Sequence, residues 1–257
     1  MNIRAIIPAA GKGRRLHSEE SDLPKVMRRC GGRPLLETVL GTVSFIPDED
    51  VYIVVGYKKE EVVRYFGDRY NYVEQTQQLG TGHAVLVCAD RFRNFDGTVL
   101  VTFGDMPLFR SEDMKAMCRL LEEENAQCVL MTAENPELDH WARITRDEKG
   151  EFSAIVEGKD CTAEQAKIKE LFAGVLCFDS RALFDVLPEV GKNNAQGEYY
   201  LTEVPELMLR KGMKVKTYHI NDGSDLRGVN TPEDLRKCEE ELLRRSEKRA
   251  FQKSLSL

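Results

Sequence analysis

Long hydrophobic runs are absent from this chain. No stretch approaches the roughly eighteen uninterrupted apolar residues of a membrane span, so no passage through a bilayer is expected. No cleavable apolar segment precedes the first strand pattern, and a cytoplasmic location is the expectation. Paired metal-type cysteines are absent as well. The seven cysteines, Cys30, Cys88, Cys118, Cys128, Cys161, Cys177 and Cys238, form no CxxC, and the chain has four histidines. Neither a zinc site nor a disulfide framework follows, and the cysteines read as reduced, buried small hydrophobes. A basic surplus is missing too. The formal net charge is −6, which argues against a broad nucleic-acid face. It leaves room for a small polyanion, because Lys12, Arg14, Arg15 and Lys25 crowd the N-terminal segment.

What is present suits one large α/β domain: 257 residues, 42% of them hydrophobic. Strand patterns fall at 3–7, 50–56, 70–74, 98–103 and 126–132. Helical patterns fall at 34–42, 58–67, 82–92 and 111–125, the last with Ser111 as its expected cap. Apolar strands alternating with helices predict a largely parallel sheet covered on both faces. From 136 onward the pattern changes. Strands at 142–146 and 152–157 flank Asp147–Gly150 as a hairpin, and further strands are expected at 174–178 and 214–219. The segment NNAQGEYYLT, 193–202, reads as a loop entering a helix at 204–211. This second half is expected to lie over the first as a lid for a second substrate. From Pro232 the chain is helical and charged, with Leu235, Cys238, Leu242 and Leu243 as a candidate stripe. That stripe suits packing on the domain or an oligomerisation arm.

Ligands of such sheets bind beyond the carboxyl ends of strands. Two chemistry-bearing segments lie at such ends. The first is Ala9-Ala10-Gly11-Lys12-Gly13-Arg14-Arg15. It is not a Walker loop, since no GKS or GKT follows at the required spacing, and it lacks the third glycine of a dinucleotide fingerprint. It reads either as a plain glycine turn or as a nest of N–H groups for anionic oxygens, with Arg15 adding a charged fork. The second is Gly104-Asp105-Met106-Pro107. Asp105 is a turn residue or one oxygen ligand of a divalent cation, with Asn230 and Asp225 as candidates for the remainder. Lys25, held in direction by Leu23-Pro24, suits charge neutralisation on a reacting phosphate. In YVEQTQQLGTGHA, Gln75 and Thr81 suit either the edge of a base or a structural turn. Glu157 suits sugar hydroxyls or a salt bridge to Lys159 or Arg143. His83, just inside a helix start, suits a structural hydrogen bond.

In order, IIPAAGKGRR, DLPKV, GGRPLLETVL, YVEQTQQLGTGHAV, FGDMPL, ARITRDEKGEFSAIVEGKD, NNAQGEYYLTE and RGVN resemble the sugar-1-phosphate nucleotidyltransferases. More narrowly they resemble the uridylyltransferase domain of the bacterial bifunctional N-acetylglucosamine-1-phosphate uridylyltransferase/glucosamine-1-phosphate acetyltransferases. The resemblance runs from about Ile3 to Leu235. It implies a Rossmann-like, three-layer α/β/α fold with a mixed, mostly parallel sheet. It implies a nucleotidyltransferase domain over 1–231, with a nucleotide half to about 135, a smaller sugar-binding half after it, and a helical tail over 232–257. By resemblance, Ala9, Ala10 and Gly11 meet the nucleotide through their backbone, and Gln75, Gly80 and Thr81 recognise uracil. Arg15 and Lys25 act on the phosphates, while Asp105 and Asn230 hold Mg²⁺. Glu157, Tyr200 and Thr202 line the sugar site. The implied substrates are UTP and a sugar 1-phosphate, N-acetylglucosamine 1-phosphate by family default, with no nucleic acid or membrane partner.

The chain departs from the family on the sugar side. A tyrosine-glycine-arginine-isoleucine run becomes Trp141-Ala142-Arg143-Ile144, and Phe172 stands where an asparagine meets the sugar. Phenylalanine cannot repeat that hydrogen bond, so another hexose or amino-sugar 1-phosphate is an open alternative. Phe103 replaces a tyrosine, Arg14 a threonine, and the segment between Arg15 and Lys25 is longer. CTP or dTTP in place of UTP also stays open. No hexapeptide repeats of a left-handed β-helix are present, so neither acetyl transfer nor the trimer that such a domain builds is expected. A catalytically inactive sugar-nucleotide sensor is the reading from another class, and retention of Arg15, Lys25, Asp105 and Asn230 speaks against it. A glycosyltransferase with an Asp-x-Asp metal motif does not fit Gly104-Asp105-Met106-Pro107.

Overall fold

The structure, a computed structural model, describes residues 1–13, Leu16 and residues 23–254. Arg15, an expected catalytic residue, lies outside the described residues. The strands are β1 (Ile3–Pro8), β2 (Arg29–Cys30), β3 (Arg33–Pro34), β4 (Val51–Val55), β5 (Asn71–Glu74), β6 (Thr98–Thr102), β7 (Cys128–Glu134), β8 (Arg143–Arg146), β9 (Phe152–Val156), β10 (Glu170–Asp179) and β11 (Val215–His219). The helices are α1 (Leu35–Thr42), α2 (Lys59–Phe66), α3 (Thr81–Leu86), α4 (Ala89–Phe92), α5 (Ser111–Glu123), α6 (Ser180–Val186), α7 (Val204–Arg210) and α8 (Pro232–Ser254).

The main sheet runs β11-β7-β10-β6-β1-β4-β5, with β8 and β9 attached beside β10. Strands β6, β1, β4 and β5 are mutually parallel, as are β7 and β11, and β10 runs antiparallel between β6 and β7. The sheet is therefore mixed and mostly parallel. Its central strands are buried on both faces, so β4 and β6 are apolar or β-branched throughout. Alternation along β1 sends Ala5 and Ile7 to one core with α1, α2 and α5, and Ile6 to another with α3, α6 and α7. These three layers are the α/β/α architecture that the motifs imply. No described helix is long and apolar enough to cross a membrane.

Three local expectations change. The helix expected over 82–92 is two pieces, broken where Cys88 N–H bonds back three residues to Val85. Ser111 opens α5 rather than capping it, because its Oγ donates to Thr42 O (2.7 Å) and ties the helix to α1. The strand expected over 174–178 is the ten-residue β10, whose register on β7 shifts between Phe172 and Leu176. Helix α6 follows it directly, capped by Asp179, whose carboxylate accepts from Ala182 N (2.8 Å). The hairpin between β8 and β9 turns as read, with Asp147 Oδ1 accepting from the Lys149 and Glu151 amides. Six of the seven cysteines are buried and Cys161 is partly exposed.

Candidate active site

A cavity of about 230 Å³ opens where β1, β5 and β6 end. Pro8–Gly11 floor one side, Lys25 and Asp105 another, and Gln75, Gly80 and Thr81 a third. All six residues expected to meet the nucleotide therefore line one space, although 64 positions separate Gly11 from Gln75 in the chain. The backbone is pinned around it. Ala9 N–H donates to Val54 O (2.8 Å), Ala10 O accepts from Tyr57 N–H (3.2 Å), and Gly104 N–H donates to Pro8 O (3.0 Å).

The glycines of LGTGHA have a steric cause. Gly80 has φ +117°, and a Cβ there would stand 2.5 Å from Tyr199 O. The loop 193–202 is docked on this turn: Gly82 N–H donates to Tyr199 O (2.7 Å), Tyr199 N–H to Leu79 O (2.9 Å) and Leu201 N–H to Thr81 Oγ1 (3.0 Å). The LGTGHA turn and the loop 193–202 thus form one wall. Gln75 is buried, and its amide nitrogen donates to Gly80 O (3.1 Å) and meets His83 Nδ1 (3.0 Å).

At the other wall, the Lys25 ammonium donates to the Asp105 carboxylate and to Asn230 Oδ1 (2.8 Å). Three residues read from separate motifs meet at one point. Asp105 O also accepts from Val229 N–H (2.9 Å), which fastens the Asn230 segment to the end of β6. Asn230 stands just before a capping box. Thr231 Oγ1 accepts from Asp234 N–H (3.1 Å), the Asp234 carboxylate accepts from Thr231 N–H (2.8 Å), and Pro232 fills the first helical position. The donor set is one carboxylate and one amide oxygen already converging on a cation. These hard oxygens fit Mg²⁺ completed by water and phosphate oxygens. Among the described residues no group of three or more His, Cys, Asp or Glu could hold a metal ion. Asp225, the other candidate, is buried elsewhere in ion pairs with Arg245 and with Arg110 (3.2 Å).

Sequence reasoning missed Arg245. From α8 it reaches the Asp225 carboxylate and donates to Leu108 O (2.6 Å). One guanidinium therefore joins the loop after Asp105 to the loop before Asn230. Leu235, Cys238 and Leu242 pack α8 on Cys30, Leu108 and Val229, whereas Leu243 of the expected stripe is exposed. The only sequence signal was a basic residue seven positions beyond Cys238, on the side of the helix that packs.

The residues expected at the sugar lie apart from this cavity wall. Thr202 Oγ1 donates to Glu157 Oε1 (2.9 Å). Burial pushes the Glu157 carboxyl up, Thr202 opposes this, and Asp160 and Glu198 add to it. Its two expected salt-bridge partners turn elsewhere, Lys159 to Gln196 (2.5 Å) and Arg143 to Asp139 O (2.6 Å). The Tyr200 hydroxyl is buried without a well-formed hydrogen bond, with Gln196 near it. Ala142 and Phe172 are buried in the apolar core that also holds Ile144 and Leu176. Their backbones bond (Phe172 N–H to Ala142 O, 3.0 Å), and Trp141 Nε1 donates to Phe172 O (2.8 Å).

Comparison with known proteins agrees with the fold. A model of the MobA-like NTP transferase domain matches residues 5–203. The bifunctional protein GlmU of Staphylococcus carnosus is 37% identical over 241 residues, 94% of this chain and 52% of that protein. The GlmU of Lactobacillus gasseri is 40% identical over 230 residues, 90% of this chain and 49% of that protein. The chain spans about half the length of the curated relatives it matches. A solved structure of a putative glucose-1-phosphate thymidylyltransferase from Bacillus anthracis, in complex with a sucrose, superposes with a TM-score of 0.73. It covers 93% of this chain and 94% of its own at 16% identity, so the likeness is one of fold. The family resemblance drawn from the motifs holds: the chain belongs to the MobA-like NTP transferase domain family.

Proposed function

We propose that the protein is a sugar-1-phosphate nucleotidyltransferase that makes a UDP-sugar and pyrophosphate from UTP and a sugar 1-phosphate, with Mg²⁺ as its metal. The observation that carries this is the meeting of Lys25, Asp105 and Asn230 at the edge of a cavity lined by Ala9–Gly11, Gln75, Gly80 and Thr81. The similarity to GlmU proteins supports N-acetylglucosamine 1-phosphate as the default sugar.

The reaction is an in-line displacement at the α-phosphorus. A phosphate oxygen of the sugar 1-phosphate forms the new bond, and the bond to the pyrophosphate leaving group breaks. The nucleophile is already an anion, so no protein base is required. The glycosidic bond is untouched and the anomeric configuration is kept. Lys25 contributes positive charge beside the reacting phosphates, and the pinned backbone from Ala9 to Gly11 orients the triphosphate. Arg15 is assigned to the β- and γ-phosphates by resemblance. Asp105 and Asn230 would hold Mg²⁺, which supplies Lewis-acid polarisation of phosphate oxygens when bound. Glu157 and Thr202 orient sugar hydroxyls, with Tyr200 beside them.

A second reading keeps the chemistry and changes the sugar. Phe172 and Ala142 are closed into the apolar core and have no polar side-chain group to offer a sugar, which favours a substrate that asks for fewer hydrogen bonds. The experiment is a pyrophosphate-release panel with purified protein, Mg²⁺, each NTP and a set of sugar 1-phosphates. Turnover with UTP and N-acetylglucosamine 1-phosphate is expected. Turnover with glucose 1-phosphate alone would establish the second reading, and no turnover with any pair would overturn both.

A further inference from the structure

His83 belongs to the motif that builds the cavity, yet the proposed chemistry gives it no task. Its surroundings point to one. The Gly80 carbonyl can only accept, so the Gln75 atom 3.1 Å from it must be the amide nitrogen. The same nitrogen lies 3.0 Å from His83 Nδ1. An amide nitrogen has two hydrogens, and these two partners use both. A ligand can then meet this amide only through its carbonyl oxygen. The arrangement requires a bare Nδ1 on His83, with the ring proton on Nε2.

The ring is held in that role from several sides. It stacks on Tyr199 at 6.4 Å and 29° between planes. Tyr199 in turn lies under the Lys192 ammonium, 4.5 Å from its ring centre. Partial burial and the charge of Lys192 both disfavour protonation of His83, whereas a contact with the Gln77 backbone favours it.

We infer that His83 is a positioning residue: it fixes the Gln75 amide so that only the carbonyl oxygen faces the cavity, and so selects a pyrimidine with a ring N–H over one with a bare ring nitrogen. Uracil and thymine carry a hydrogen on ring N3, which a carbonyl accepts. Cytosine carries a lone pair there, which repels one. Loss of the His83 acceptor leaves the amide nitrogen held by the Gly80 carbonyl alone, so the amide turns more readily to offer its nitrogen, which suits cytosine. The inference rests on reading the cavity as the nucleotide site, and it assigns base choice to a side chain that does not touch the base.

The test measures kcat/KM for UTP and CTP, with N-acetylglucosamine 1-phosphate and Mg²⁺, in wild type, His83→Phe and His83→Asn. Phenylalanine keeps a ring against Tyr199 without an acceptor, and asparagine keeps an acceptor near the Nδ1 position. His83→Phe is expected to lower the UTP:CTP ratio about tenfold or more, through KM for UTP and with KM for the sugar unchanged. His83→Asn is expected to keep most of the ratio. An unchanged ratio in a folded His83→Phe, or equal losses in both variants, would overturn the inference. ¹⁵N shifts of His83 in the wild-type protein give a reading that needs no variant: an Nε2–H tautomer is expected, and an Nδ1–H tautomer overturns the assignment. A wild type that turns over no nucleotide sinks the proposed function, while the ¹⁵N shifts still decide the Gln75–His83 contact.

Discussion

The cavity and the region around Glu157 are built differently. Around the cavity, backbone groups and small residues do the shaping: Ala9, Ala10, Gly11 and Gly80 line it, and interstrand amide bonds hold it rigid. Around Glu157 the shaping is done by side chains, some of them apolar and closed into the core, as with Ala142 and Phe172. A backbone-built wall tolerates little change, because a Cβ at Gly80 would collide with Tyr199 O. A side-chain wall can be re-lettered while the sheet stays put. The contrast explains how a chain can keep the motifs around the cavity while the residues around Glu157 vary.

The sharpest way to break that contrast is at its rigid end. Asp105→Asn keeps the shape of the turn and removes the charge that meets Lys25. Turnover in the pyrophosphate assay is expected to fall by about 10² to 10³. Unchanged activity at limiting Mg²⁺ would take Asp105 out of the metal site. Arg245→Met comes next. It breaks the link between Leu108 O and Asp225 and leaves a buried carboxylate with less compensation. Mg²⁺ affinity, read independently by Mn²⁺ binding in electron paramagnetic resonance, is expected to weaken about tenfold, as for loss of a group that orients metal ligands. Equal Mn²⁺ affinity would show that α8 only covers the site.

At the adaptable wall, Phe172→Asn is expected to shift preference among sugar 1-phosphates severalfold while KM for UTP holds. It also places an amide in an apolar core, at about 1–3 kcal/mol of stability if unpaired. A lower melting point with an unchanged sugar ranking would remove Phe172 from the sugar site. The smallest effect is on stability against pH. Folding holds the His83 pKa below its ordinary value of 6.5. The unfolded chain therefore takes up this proton first as pH falls. The His83 contribution is complete above about pH 6.5 and declines below it, down to the lower folded pKa. Chemical denaturation between pH 7 and pH 5.5 should show that decline in wild type and a smaller one in His83→Asn. Equal declines would assign it to other groups.

Much of this was legible in the residues because it depends on local pattern. Continuous apolar strands announced burial on both faces, and the hairpin at Asp147–Gly150 and the turn around Gly80 were readable from their residue types. The break at Cys88, the tie from Ser111 to Thr42 and the full length of β10 were not readable, since each depends on what packs opposite. Arg245 escaped for the same reason. Among the many charged residues of α8, only contact with Asp225 and Leu108 distinguishes it. Gln75 and His83 were both noticed, but as separate side chains with separate uses.

By itself, the sequence determined the family, the layer architecture and the chemistry on offer: oxygen ligands, a directed lysine, and glycines where backbone must come close. These follow from periodicity and from what each residue type can do alone. Only the tertiary structure decided that Lys25, Asp105 and Asn230 share one point, that α8 clasps two of their loops, and that the Gln75 amide nitrogen meets both Gly80 O and His83. The Lys25 bonds to Asp105 and Asn230 join residues 80 and 205 positions apart, and hydrogen bonds at such separations exist only once the sheet has brought its strand ends together.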